Sequence, residues 1–333
     1  MTAYELMLDA ARDAVAQTCV VARQVQHAAG EMKRLTKDDY SPVTVADFAV
    51  QALVALHLRE RLGSLALVGE ETAADLRTAR SATLRDAVVA AVCQVRPTLT
   101  EAEVLSAIDL GDHDASGDAY WTLDPIDGTK GFLRGGQYAI SLAYITGGEV
   151  VLGVLGCPNL GADFAMPFDR PAPEGTLFFA RRGSGTFAVP ANSAGARATP
   201  VRVRTTQDLT SMRVCESVEA AHSRQDETQR IAARLGARGT PARLDSQCKY
   251  AVVARGQADA YIRMPTRADY VEKIWDHAAG MLVATEAGAS VSDVDGRALD
   301  FSQGATLKKN RGIVCAPPPF HAAILDAIQV LFA

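Results

Sequence analysis

Residues 121–132 read WTLDPIDGTKGF. Two carboxylates, Asp124 and Asp127, enclose Pro125 and Ile126, and Gly128, Thr129, Lys130 and Gly131 follow. An apolar lead-in and the run YAISLAYI at 138–145 mark strands on either side. The acidic pair therefore falls where a strand gives way to a tight turn. Pro125 fixes its own φ and biases Asp124 toward extended backbone. Gly128 permits a turn that a side chain would resist. Such a turn can aim both carboxylates and the Ile126 carbonyl at one point, an all-oxygen donor set of the kind that suits Mg2+. Alone, an Asp-x-x-Asp is more simply a pair of solvated turn residues. The Thr-Lys-Gly that follows, and the other acids of the chain, argue for chemistry.

Those acids also sit at element boundaries. Asp47 lies in the first turn of a helix predicted over Thr44–Leu62, with Thr44 as its N-cap. LALVG at 65–69 is a short buried strand that delivers Glu70 and Glu71 at its end. Asp276, in EKIWDHAAG at 272–280, opens a helix predicted over Trp275–Ala287 and ended by Gly288. The helix dipole alone favours an acid at such a position by ~0.3–1 kcal/mol. Several converging acids repel, however, and are tolerable when divalent cations hold them. Cations so held can polarise a phosphoryl oxygen, acidify a water and stabilise a leaving oxygen. Thr129 could take the proton of an attacking water if Asp47 accepts from Thr129 in turn. No serine or cysteine sits in a nucleophile-elbow motif, which favours direct water attack over a covalent intermediate.

A second group lies in the C-terminal half. LDSQCKY at 244–250 and YIRMP at 261–265 supply Ser246, Lys249 and Arg263, one hydroxyl and two cations suited to a phosphate. His222, in ESVEAAHS, could stack on or bond to a base. Singly these read as solvated residues. Beside an acid-and-metal site they suggest a remote anchor, where holding one phosphate positions another for cleavage.

Composition bounds the rest. The chain has 333 residues, 48% of them hydrophobic, enough for a large core in two parts or one layered unit. A net charge of -5 gives no global basic field, so nucleic acid is not expected as a partner, whereas a small phosphorylated ligand needs only a local pocket. The six cysteines are scattered without a CxxC, which speaks against zinc and for reduced, buried thiols. Glu5, Asp9 and Arg12 leave no signal-peptide core, and no stretch is long and apolar enough to span a membrane. A monomeric cytoplasmic enzyme is expected. Helices are predicted at 3–29, 78–94, 101–108, 226–235, 247–255 and 320–332. Strands are predicted at 138–145, 150–155, 176–180, 186–189, 212–215, 258–263 and 313–316, and a linker at 190–200. This alternation argues for a layered α/β architecture. Residues 1–190 would form an α+β domain with most of the acids, and 200–333 an α/β domain with the anchor residues and Asp276.

In order, Gly69-Glu70-Glu71, Asp124 to Thr129 and Trp275-Asp276 resemble the three motifs of the inositol monophosphatase superfamily of lithium-sensitive, Mg2+-dependent phosphatases. SPVTVADFAVQ, DPIDGTKGFLRGGQYAISLA, ESVEAAHS, LDSQCKY and EKIWDHAAG, with the long insert between Glu71 and Trp121, are similar to its 3'(2'),5'-bisphosphate nucleotidase branch. The resemblance covers essentially the whole chain. It implies alternating layers of helices and sheets, with the site in a cleft between two parts. It implies that Asp47 and Thr129 activate water, and that Glu70, Asp124, the Ile126 carbonyl, Asp127 and Asp276 hold up to three Mg2+ ions. It also implies that Gly128, Thr129, His222, Ser246, Lys249, Arg263 and Asp276 contact the substrate. Ala221 departs from the pattern, since a glycine precedes the histidine in relatives. The activity implied is hydrolysis of adenosine 3',5'-bisphosphate (PAP) to AMP and phosphate, with the phosphosulfate PAPS as a second substrate. An inositol polyphosphate 1-phosphatase, or an enzyme with both activities, would share the acids, and a non-catalytic sensor of the bisphosphate would show a damaged acid set, which this chain does not.

Overall fold

The computed structural model describes residues 2–32, 41–168, 170–218, 225–265, 267 and 269–332. Among them, two sheets alternate with helix layers. The first sheet has seven strands in chain order: β1 (Leu67–Gly69), β2 (Ala119–Asp127), β3 (Ala139–Thr146), β4 (Glu149–Cys157), β5 (Thr176–Arg181), β6 (Thr186–Pro190) and β7 (Thr199–Val201). All neighbours are antiparallel except β1 and β2, which run parallel. The second sheet has the order β11-β12-β10-β8-β9, built from β8 (Val214–Glu216), β9 (Ala242–Arg243), β10 (Ala260–Arg263), β11 (Ser290–Ser292) and β12 (Ile313–Ala316).

Side-chain alternation explains the layering. Along β3, Ile140 and Leu142 pack with α1 (Ala3–Met32) and α2 (Pro42–Leu62) on one face of the first sheet. Ala139, Ala143 and Ile145 point the other way, into a core shared with α7 (Cys248–Ala254), α8 (Ala278–Glu286) and Tyr261 of the second sheet. A strand buried on both faces reads as the near-continuous apolar run seen at 138–145. The far face of the second sheet is covered by α6 (Gln225–Arg234) and α9 (Pro318–Phe332). Helix α2 is buried nearly all round, because its second face meets α3 (Ala82–Cys93) and α4 (Glu101–Ile108).

Three boundaries differ from the sequence expectations. Helix α2 starts at Pro42, with Ser41 as the flanking residue in place of Thr44. Proline at the first helical position loses an N–H that would have had no partner anyway. The helix expected from Trp275 begins at Ala278, leaving Asp276 in the preceding turn, because the Trp275 carbonyl accepts from Gln247 and Ser141 and is drawn out of the helix. The stretch 190–200 joins β6 to β7 within one sheet, so the chain passes to the second sheet only after Val201.

Candidate active site

Strands β1 and β2 lie parallel, with Gly69 opposite Leu123, so Glu70 emerges beside Asp124. Residues three apart on a regular strand face opposite sides of the sheet. Here Asp124 pairs with Ser141 and Asp127 with Ala139, three steps on β2 against two on β3. The extra residue is a β-bulge at Pro125-Ile126, where proline has no N–H to lose. The bulge brings both carboxylates to the same side and takes the Ile126 carbonyl out of the ladder. The chain then turns through Gly128, at φ +92, into the single-turn helix α5 (Thr129–Leu133).

Glu70 and Glu71 are fixed from behind by Gln51, which is fully buried on α2. Its side-chain amide donates to the Glu71 carbonyl at 2.6 Å and to the Ile108 carbonyl at 2.9 Å, and accepts from the Glu71 N–H at 3.0 Å. A Cβ on Gly69 would come within 2.5 Å of that amide, so only glycine lets the strand end approach it. Gln51 is one helical turn beyond Asp47, on the same face. Asp47 accordingly sits near Glu70 and Glu71.

A cavity of about 340 Å3 opens between the two sheets. Glu70, Asp124, Ile126, Asp127, Gly128, Thr129 and Asp276 line one part of it, and Ser246, Lys249 and Arg263 another. Among the described residues, every expected site residue is therefore in the lining except Asp47, whose carboxyl feels the Glu71 and Glu70 charges. No Asp47–Thr129 hydrogen bond forms among the described residues. His222 lies outside the described residues.

The acids disfavour their own charge. Burial, then the Glu70, Asp127, Asp276 and Asp47 charges, holds the Asp124 carboxyl well above its usual range. Desolvation and the Asp276 charge push Asp127 up to about 6 against the opposing pull of Lys249. Glu70 keeps an open side, yet the protein packed around it and the Asp276 and Glu71 charges push it up to about 7. Asp47 is raised by burial and by Glu71 and Glu70, and Asp276 by burial foremost. Asp124 is 3% exposed, and its Oδ1 has no hydrogen-bond partner. An orphaned carboxylate oxygen amid like charges fits a cation, and the oxygen-only set fits a hard divalent one. A tighter trio, Glu272, Asp276 and His277, has ligand atoms within 4.8 Å of one another, but Glu272 is occupied. It accepts from Arg263 Nε at 2.9 Å and lies 3.2 Å from His277 Nε2.

The other end is cationic. Lys249 is 7% exposed, its Nζ 5.2 Å from the Tyr261 ring centroid, and burial lowers its pKa. Ser246 is a non-glycine residue at φ +67, strain that the surrounding packing must sustain. Sequence reasoning missed several lining residues: Lys130, Ser217, Asp245, Gln247, Tyr261 and Tyr270. Asp245 pairs with Arg134 and accepts from Ser217 Oγ at 3.4 Å. Gln247 and Asp245 stand inside the quoted LDSQCKY, but their roles depend on partners distant in sequence.

Residues 3–331 match the model of the inositol monophosphatase family. The chain belongs to that family. Enzymes of this family generally use Mg2+. The chain is 41% identical over 304 residues to a 3'(2'),5'-bisphosphate nucleotidase of Schizosaccharomyces pombe, covering 88% of this chain and 85% of that protein. It is 38% identical over 340 residues to the 3',5'-bisphosphate nucleotidase 2 of Arabidopsis thaliana, covering 98% and 96%. Among solved structures, the inositol monophosphatase from Anabaena superposes with a TM-score of 0.64 at 18% identity, over 99% of this chain and 97% of that one. That likeness bears on the fold alone, and it agrees with the layered architecture. Among the described residues no helix is long and apolar enough to cross a membrane.

Proposed function

We propose that this protein is a Mg2+-dependent 3'(2'),5'-bisphosphate nucleotidase that hydrolyses adenosine 3',5'-bisphosphate to AMP and phosphate, and accepts PAPS. The observation that carries this is one cavity with an acid cluster at one end and the buried Lys249 and Ser246 with the half-buried Arg263 at the other. Two anionic groups on one small molecule match that division. The named relatives support the same substrate.

Glu70, Asp124, the Ile126 carbonyl, Asp127 and Asp276 would hold the cations, up to three. Bound there, the cations would acidify water and offset charge on the transferring phosphoryl group. Lys249, Ser246 and Arg263 grip the remote phosphate, so the scissile one arrives oriented. Glu272 keeps Arg263 aimed through its Nε. Thr129, at the mouth of the acid cluster, takes the proton of the attacking water as Asp47 accepts from it. Their hydrogen bond therefore forms on loading, as catalytic contacts often tighten only in the reactive complex. His222 contacts the base. The protein acts as a cytoplasmic monomer, with residues up to about 190 supplying most of the acids and those after 200 the anchor and Asp276.

An inositol polyphosphate 1-phosphatase would use the same acids. Comparing kcat/KM on adenosine 3',5'-bisphosphate and inositol 1,4-bisphosphate in saturating Mg2+ tests the assignment. Preference for the nucleotide is expected, and turnover of the inositol bisphosphate alone would overturn it.

A further inference from the structure

Asp127 and Asp276 come from different layers, one at the end of β2 and the other before α8. The Asp276 charge is among those that raise Asp127, so the pair repels. Something must set their separation. Gln247 is 2% exposed and lies between them. Its backbone N–H donates to Asp127 Oδ2 at 2.5 Å. Its side-chain Nε2 donates to the Trp275 carbonyl, one residue before Asp276, at 2.9 Å. Its Oε1 accepts from the Gly280 N–H, in the first turn of α8, at 3.0 Å. Main chain and side chain thus hold the two acidic segments at once.

Its surroundings hold Gln247 still. Ser246, in its left-handed conformation, packs so closely on Gly128 that a Cβ there would stand 2.8 Å from the Ser246 Cβ. Lys249 follows two residues later, so the phosphate anchor and the acid cluster share the four residues from Ser246 to Lys249. We infer that Gln247 is a positioning residue that sets the Asp127–Asp276 separation for divalent-cation binding, an inference that rests on the divalent-cation reading of the acid cluster. The side chain needs no contact with reacting atoms. It acts through Asp127 and the Asp276 turn, as outer partners of cation ligands do.

The test uses Gln247→Leu, which removes both side-chain bonds and leaves the backbone N–H to Asp127. Gln247→Met, whose flexible chain fills the same volume, is the second variant should the leucine one not fold. The probe is Mg2+ alone, read as the rise in melting temperature with Mg2+ concentration. In parallel, kcat and the Mg2+ midpoint for hydrolysis are measured. The Mg2+ midpoint for stabilisation and for hydrolysis should both rise about tenfold, while kcat at saturating Mg2+ stays within about threefold of the parent. A lower melting temperature with an unmoved midpoint would assign Gln247 a structural role and overturn the inference. So would failure of both variants to fold, or a collapse of kcat that Mg2+ does not restore. If Mg2+ does not stabilise the parent protein, the divalent-cation reading itself fails, an outcome distinct from the others.

Discussion

Gly128→Ala should damage both stability and turnover, and Gly135→Ala should damage neither to the same degree. Both glycines have positive φ, +92 and +72. For an L-residue that conformation costs about 1–2 kcal/mol. The neighbours separate the two sites. A Cβ on Gly135 meets nothing within 4 Å, whereas one on Gly128 meets Ser246 Cβ at 2.8 Å and Ser246 N at 3.3 Å. Ser246 is itself strained and has little room to yield, so overpacking adds about 1–3 kcal/mol at Gly128 only. The total there, about 2–5 kcal/mol, lies below the ~5–15 kcal/mol of an ordinary domain, so the variant should still fold. Relief of the clash must shift either the acid-bearing turn or the anchor segment. A misplacement of about 1 Å costs on the order of 100-fold in rate, so a 10- to 100-fold loss of turnover is expected. Urea unfolding without Mg2+, with m-values compared, measures the first effect, and phosphate release measures the second. Equal stability and equal turnover in the two alanine variants would refute the argument.

Other expectations follow from the same site. The raised carboxyls bind protons in the folded chain that the unfolded chain releases. They contribute stability below their unfolded values near 4, and it is lost as pH rises through about 6 for Asp127 and about 7 for Glu70. Metal-free protein should therefore melt at a lower temperature at pH 8 than at pH 5.5, and saturating Mg2+ should flatten that slope; the opposite slope would mean the acids do not converge. Asp124→Asn replaces the most buried carboxyl of the cluster with a group that never ionises, so the metal-free melting temperature should rise while the Mg2+-induced shift disappears and turnover falls at least about 100-fold. Lys249→Ala removes a charge-assisted bond of ~1.5–3 kcal/mol, so KM for the nucleotide should rise about 10- to 100-fold with kcat changed far less. A loss confined to kcat would move Lys249 to the scissile phosphate.

Local signals carried far into the structure. The apolar run of β3, the apolar run ending at Glu70 and the proline-glycine punctuation around Asp124 and Asp127 all correspond to real elements. The bulge was implicit in Pro125, yet its consequence, two acids three apart on one side, depends on pairing with β3. The start of α8 was misplaced because Trp275 has no local reason to leave a helix; the reason is Gln247, 28 residues away. The strands β7, β9 and β11 span two or three residues each, too short to carry a periodicity. The polar run at 190–200 resembles a linker in composition, and only strand pairing shows it to be a connection within one sheet. Asp245, Gln247 and Tyr270 entered the cavity through tertiary contacts that no spacing rule foretells.

Hydrolysis of adenosine 3',5'-bisphosphate in 18O-labelled water with Mg2+, followed by mass spectrometry, tests the central claim most directly. The account predicts adenosine 5'-monophosphate without label and inorganic phosphate carrying one 18O from the attacking water. Label in the nucleotide, loss of the 5'-phosphate instead of the 3'-phosphate, or no turnover by folded protein in saturating Mg2+ would contradict it.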